Sequence, residues 1–261
     1  MVEVGTRLGL AMFSWEKAVG GRAMFGEVLG VLVHDGRFPR IPGDAGNAST
    51  YPFTTRLKVV RGLDPGKAPE LYSRKDPVTL QKCIQAAQEL ESEGVRAITT
   101  VCGFALMIQD ELQDAVNIPV FTSSLLQLPI AYRTLKKGQK IGIITANSML
   151  LTKDFLSRAG MEPKVVDVVV VAGLEKEPRV IPPGTPPNVS YPRKEEERIV
   201  RIANKLVSDN PEVGAIFFEC HNLPPYAAAV QEATGLPVFD VMSLVKMVIQ
   251  TVDQRRYTGI M

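Results

Sequence analysis

Three cysteines stand in this chain, at positions 83, 102 and 220, and two of them end stretches that match. Ala97-Ile98-Thr99-Thr100-Val101-Cys102 is answered by Ala215-Ile216-Phe217-Phe218-Glu219-Cys220. Leu112-Gln113-Asp114-Ala115 is answered by Val230-Gln231-Glu232-Ala233, and Ile118-Pro119-Val120-Phe121 by Leu236-Pro237-Val238-Phe239. Every pair is offset by 118 residues (220 − 102 = 118). A constant offset through a strand, a helix and a second strand indicates an old duplication, with two half-chains facing each other across a pseudo-two-fold axis. Ligands of parallel α/β units bind beyond the carboxyl ends of the strands, so both sulfurs are expected to face one cleft. A thiol with a pKa of ~8.5 can act as acid and as base near neutral pH. Two such groups on opposite faces of a held carbon could remove a proton from one side and return it on the other. Free cysteine more often only packs; equivalent places in a duplicated chain turn the balance toward chemistry. Cys83 reads differently, as a core residue on an apolar helical face with Leu80, Ile84, Ala87 and Leu90.

A carbanion or enolate formed between two thiols needs hydrogen-bond donors for its carboxylate oxygens. The candidates are Thr122, Ser123, Thr145, Asn147 and Asn222, with the backbone at Gly103 and the side chain of His221 beside the cysteines. Thr122-Ser123-Ser124 closes a strand and opens a helix, where capping alone also explains the hydroxyls. His221 could tune Cys220, although neighbours on an extended chain point apart. No chemical role attaches to Glu219. Asp35 and Asn47 belong to a long Gly- and Pro-punctuated loop, His34 to Asn47, that is either a cradle for a small polar substrate or a solvated surface loop.

The elements that must position these residues follow from hydrophobic pattern. Val28–Val33 and Lys140–Thr145 read as strands that open the two halves, and Leu57–Val60 and Val165–Val171 as further strands. Asp76 caps a helix that starts at Pro77 and ends at Gly94. Glu195–Ser208 and Val241–Tyr257 are amphipathic helices. The Pro-rich stretch from Pro178 to Pro192 is neither helix nor central strand, and serves either as a lid on the cysteine side or as a rigid connector. The resulting class is α/β: two pseudo-symmetric doubly wound domains, each a mainly parallel sheet flanked by helices, with the active site in the cleft between them. Residues 1–130 plus 241–261 form the first domain, with residues 1–26 as a helical N-terminal extension, and residues 131–240 the second.

Composition narrows the function. A hydrophobic share of 45% and a charged share of 22% suit a globular protein with real cores, and a net charge of +2 gives no footprint for nucleic acid. Three cysteines without a CxxC pair make no disulfide framework and point to the reducing cytoplasm. Two histidines leave little to build a zinc site from. Neither GxGxxG nor GxxxxGK[ST] occurs, so no metal, nucleotide or flavin is expected. No apolar run approaches the roughly 18 to 20 residues of a membrane helix.

Thr99-Thr100-Val101-Cys102-Gly103-Phe104, Val120-Phe121-Thr122-Ser123-Ser124-Leu125-Leu126, Ile141-Gly142-Ile143-Ile144-Thr145-Ala146-Asn147 and Glu219-Cys220-His221-Asn222-Leu223-Pro224-Pro225-Tyr226 resemble the aspartate/glutamate/hydantoin racemase superfamily from about Val28 onward. The resemblance implies a cofactor-independent, homo-oligomeric racemase or epimerase with Cys102 and Cys220 flanking an amino acid, a related carboxylate or a hydantoin. It departs from the pattern twice. Gly103-Phe104 follows the first cysteine where several members carry Asn-Thr or Gly-Thr, and His221 follows the second where they carry Thr. Relatives of the same fold decarboxylate arylmalonates or isomerise maleate, so decarboxylation and cis–trans isomerisation are the alternatives. A non-catalytic binding protein is a third reading.

Overall fold

The computed structural model describes residues 18, 20–22, 24–177, 182, 184–254, 257, 259 and 260. The extension's apolar Leu8 to Trp15 lies outside the described residues, as do residues 178–181 and 183 of the Pro-rich stretch. In chain order the elements are β1 (Leu29–His34), β2 (Thr55–Val60), α1 (Ala68–Ser73), α2 (Pro77–Glu93), β3 (Ala97–Thr100), α3 (Gln109–Asp114), β4 (Val120–Phe121) and α4 (Leu128–Thr134). They continue with β5 (Lys140–Thr145), α5 (Lys153–Arg158), β6 (Val169–Gly173), α6 (Pro192–Asp209), β7 (Val213–Phe218), α7 (Ala227–Thr234), β8 (Val238–Phe239) and α8 (Val241–Val252).

The strands form two four-stranded sheets, β2-β1-β3-β4 and β6-β5-β7-β8, and every pairing is parallel. Both central strands of each sheet are covered on two faces, which is why β1 and β7 are buried at every residue and read as unbroken apolar runs. The sheets match strand for strand, as a duplication requires. Their registers also show where the copies drifted. Leu29 pairs with Ala97 as Ile141 pairs with Ala215, so the first strands are offset by 112 residues (141 − 29 = 112). The second strands are offset by 114 (169 − 55 = 114), and only the third and fourth by 118. The copies differ in their first connections: a loop with a 3-10 turn at Ala48–Thr50 joins β1 to β2, whereas α5 lies between β5 and β6.

Helix α2 starts and stops by local chemistry. The Asp76 carboxylate accepts the Thr79 N–H, Pro77 fills the first position, and Gly94 leaves the helix at φ +100. Cys83, Ala86, Ala87 and Leu90 bury its inner face. The last helix crosses back. Val241, Leu244, Val245, Ile249 and Val252 of α8 pack with Val28, Leu29, Val31 and Val33 on the first sheet, each burial contributing about 1.5–3 kcal/mol. Leu128 and Ala131 of α4 share a core with Ile141, Ile143 and Phe217 of the second sheet.

Two expected elements are corrected. The strand expected over Val165–Val171 runs instead from Val169 to Gly173, behind a 3-10 turn at Pro163–Val168. A β-branched run carries no phase of its own, and pairing of Ile141 with Val169 sets where the strand begins. Helix α8 stops at Val252 rather than Tyr257, where its buried stripe runs out and polar residues follow.

Candidate active site

Strand β3 of the first sheet and strand β7 of the second each release a cysteine two residues past their last residue. The Thr100 hydroxyl accepts the Cys102 N–H at 3.3 Å and lies 2.9 Å from the carbonyls of Cys102 and Thr122. Cys102 therefore leaves the sheet in a fixed direction and caps the 3-10 turn Gly103–Ile108. The N–H groups of Phe104 and Ala105 at that turn favour its thiolate. Burial outweighs them and pushes the thiol well up, and negative charge on Glu219 and on Cys220 adds to the rise. The influence of Cys220 on Cys102 puts the two sulfurs in one electrostatic neighbourhood. Each is partly exposed, whereas Gly103, Glu219 and His221 around them are buried. Cys83 lies elsewhere, in the core beside the Tyr72 hydroxyl at 4.0 Å, and burial lifts its thiol to about 11.

The halves are bolted together at the cysteines. The His221 ring donates from Nδ1 to the Thr100 carbonyl at 2.8 Å and accepts the Ser124 N–H on Nε2 at 3.2 Å. Those partners fix one neutral tautomer, and burial lowers its pKa to about 4. Both ring nitrogens are thus engaged between the halves. Ser124 donates its hydroxyl to the Phe218 carbonyl at 2.7 Å. Ala45 donates its N–H to the His221 carbonyl at 3.2 Å, and Gly43, at φ +99, passes closely over Pro225. The loop after β1 thereby lies across the second half.

The other residues singled out in the sequence take several places. Thr145 donates its hydroxyl to Glu219 Oε2 at 2.8 Å. Thr122 donates its hydroxyl to Gln109 Oε1 at 2.8 Å, and Ser123 caps the next turn by accepting the Leu125 N–H. Asn147 caps the turn Ser148–Leu150. Asn47 caps the turn Ala48–Thr50 and donates to the Arg40 carbonyl at 2.7 Å. Asp35 is exposed and accepts the Gly62 N–H at 2.9 Å. Asn222 stands beside Cys220 on the wall of a cavity of about 590 Å³, and its Oδ1 is buried without a partner. Asp44 and Ile41 of the loop after β1 and Tyr191 and Pro187 of the Pro-rich stretch line the same cavity.

Sequence reasoning missed several groups here. Arg40 and Asp44 form an ion pair at 2.8 Å with side chains only 12% and 4% exposed. His34 meets the buried Tyr72 hydroxyl at 3.3 Å, and burial with the Arg40 charge lowers its pKa to about 3. Glu219 is fully buried against Gly103. A Cβ on Gly103 would stand 2.2 Å from the Glu219 carbonyl oxygen and 2.5 Å from Oε1, so only glycine fits. Charged residues in a strand-end motif were the available signal for Glu219; the pairings of the loop had none. Among the described residues no group of three or more His, Cys, Asp or Glu side chains could hold a metal ion, and no helix is long and apolar enough to cross a membrane.

The chain is similar to known proteins in sequence and in fold. Dimethylsulfoniopropionate lyase 7 of Emiliania huxleyi (strain CCMP1516) is 31% identical over 226 residues, covering 82% of this chain and 64% of that protein. The chain thus spans less than two thirds of that relative. A dimethylsulfoniopropionate lyase of Durusdinium sp. clade D is 31% identical over 221 residues, covering 82% of this chain and 71% of the relative. Among solved structures, unliganded arylmalonate decarboxylase superposes with a TM-score of 0.53 at 13% identity, covering 90% of this chain and 96% of its own. An aspartate racemase homologue from Pyrococcus horikoshii OT3 superposes with a TM-score of 0.53 at 18% identity, covering 87% and 100%. These structures share the two-sheet fold. The profile described as Asp/Glu/Hydantoin racemase matches residues 59–246, a span that carries both strand-end cysteines, and the chain belongs to that family.

Proposed function

We propose that this chain is a cofactor-independent lyase acting on dimethylsulfoniopropionate or a close β-sulfonium carboxylate, with the thiolate of Cys102 or Cys220 as its base. The observation that carries the reading is the 31% identity to dimethylsulfoniopropionate lyases over 82% of the chain, against 18% to the aspartate racemase homologue. The chemistry suits the site. A thiolate takes the proton from the carbon next to the carboxylate, and the electron pair left behind forms the α,β double bond. The carbon–sulfur bond breaks as that bond forms, and its pair leaves on sulfur as neutral dimethyl sulfide, with acrylate as the other product. The thiol then returns its proton to water. A neutral leaving group needs no acid to protonate it, so this reaction asks for one base and a polarised carboxylate.

Racemisation is the second reading, favoured by the equivalence of the two cysteines at the duplicated strand ends. It begins with the same proton removal and differs in the next step: the second thiol returns a proton to the opposite face, and no bond to sulfur breaks. The two part on product. Incubation with dimethylsulfoniopropionate and headspace measurement of dimethyl sulfide should show turnover that Cys102→Ser or Cys220→Ser lowers. Absence of dimethyl sulfide, together with deuterium uptake from heavy water at the α-carbon of aspartate, glutamate or a hydantoin, would replace the lyase by a racemase.

A further inference from the structure

Glu219 occupies the place in the second half that Val101 holds in the first (219 − 101 = 118). Its carboxyl is 0% exposed and lies directly against Gly103, the residue that follows Cys102 in the other half. Oε2 receives the Thr145 hydroxyl at 2.8 Å, and Oε1 is buried without a hydrogen-bond partner. Only neutral donors oppose the cost of burying its charge: the Thr145 hydroxyl and the N–H groups of Ala146 and Phe104. The nearby His221 is pinned in its neutral form by Thr100 and Ser124, so it supplies no compensating cation. An uncompensated carboxylate in such a place is expensive, and a proton on it removes the buried charge.

We propose that Glu219 is a positioning residue whose charge acts on Cys102 through space, so that the carboxyl of one half governs when the thiol of the other half ionises. With Glu219 charged, a thiolate at Cys102 would be a second negative charge close by. With Glu219 protonated, the thiolate stands beside a neutral neighbour and keeps the N–H groups of Phe104 and Ala105. Of the two states that hold a single proton, one has the S–H bond and a carboxylate, and the other has the thiolate and an O–H bond on Glu219. Burial holds Glu219 at about 7 and Cys102 well above the ordinary thiol range, the pattern of a pair whose titration belongs to both members. The Cys220 charge acts on Cys102 in the same direction, and the buried Tyr72 phenol feels the Cys102 charge from the far side. The inference rests on acid/base use of Cys102 and holds for either carboxylate reaction.

The test is thiol titration of the whole chain without substrate, so that its outcome is separate from the search for dimethyl sulfide. Iodoacetamide alkylation is followed against pH, with the Cys102 and Cys220 peptides resolved by mass spectrometry. Glu219→Gln keeps the shape and removes the charge. It is expected to lower the Cys102 midpoint by at least about one unit, which makes alkylation at pH 8 about tenfold faster. Glu219→Asp keeps the charge and is expected to retain a raised midpoint. Glu219→Val, copying the first half, gives a second neutral variant should Glu219→Gln fail to fold. A folded neutral variant whose Cys102 midpoint stays at the wild-type value would overturn the proposal, because a purely structural carboxyl leaves that titration unmoved.

Discussion

The two strand ends share a backbone and differ in how they treat charge. In the first half the two residues between strand and turn are Val101 and Cys102, and the polar work falls to Thr100, whose hydroxyl serves two carbonyls and one N–H. In the second half the same places hold Glu219 and Cys220, and Phe218 replaces Thr100. The second strand end is thus more apolar along the sheet and more ionisable at its tip. Its missing internal hydrogen bonds come from the other half: Ser124 serves the Phe218 carbonyl, and His221 reaches over to Thr100. Duplication supplied two equivalent thiols, and divergence of the residues beside them made their environments unequal.

That inequality can be broken in graded steps. Cys102→Ser and Cys220→Ser are expected to lower kcat/KM by about 10²–10⁴-fold, with urea unfolding midpoints close to wild type. Under the lyase reading the two losses are unequal, since elimination needs one base; equal losses in both would favour two-base racemisation. His221→Ala comes next. It leaves the Thr100 carbonyl and the Ser124 N–H buried and unpaired, at about 1–3 kcal/mol each, and the fall in the urea midpoint measures it. A wild-type midpoint in this variant would mean that the bolt between the halves carries no load.

The carboxyl sharpens the comparison through pH. Glu219 binds its proton more tightly in the folded chain, at about 7, than at its ordinary 4.5. The stability this contributes is complete below pH 4.5 and is lost as pH rises through 7, on the order of 3 kcal/mol in all. His221, held at about 4, and His34, at about 3, act with the opposite sign and cost stability as pH falls below 6.5. Urea titrations of Glu219→Gln are therefore expected to gain on wild type between pH 5 and pH 8; parallel curves would contradict a raised carboxyl. Gly103→Ala adds a methyl that meets the Glu219 backbone carbonyl and forces a shift, at about 1–3 kcal/mol or more, read as a fall in the urea midpoint. The corresponding change in the second half, at His221, has a different cause, and a double variant measures how far the two are coupled.

Much of the architecture was legible because it is written in local terms. Strand-length apolar runs, Asp76-Pro77 before a helix and Gly94 after it each carry their meaning within a few residues. The gapless 118-residue offset disclosed the duplication, yet only through β3, α3 and β4 and their copies. In the earlier strands the connections changed length, and the equivalence of Leu29 with Ile141 appears only when both are seen paired to their neighbours. Asp35 and Asn47 looked like site residues because their loop is polar and long, but a loop's partners are chosen at a distance: Asp35 turns to Gly62, and Asn47 to Arg40 and Ser49.

The linear order of residues by itself determined that two cysteines would end equivalent parallel strands, because strand length, alternation and repeat offset are properties of neighbouring residues. Tertiary structure alone decided which groups those sulfurs meet. His221 became a neutral strut because Thr100 and Ser124 converge on its ring from the other half. Glu219 became a carboxyl that favours its proton because the packed halves exclude water and offer it no cation. Burial and charge compensation arise from contacts between segments far apart in the chain, and no spacing within one segment encodes them.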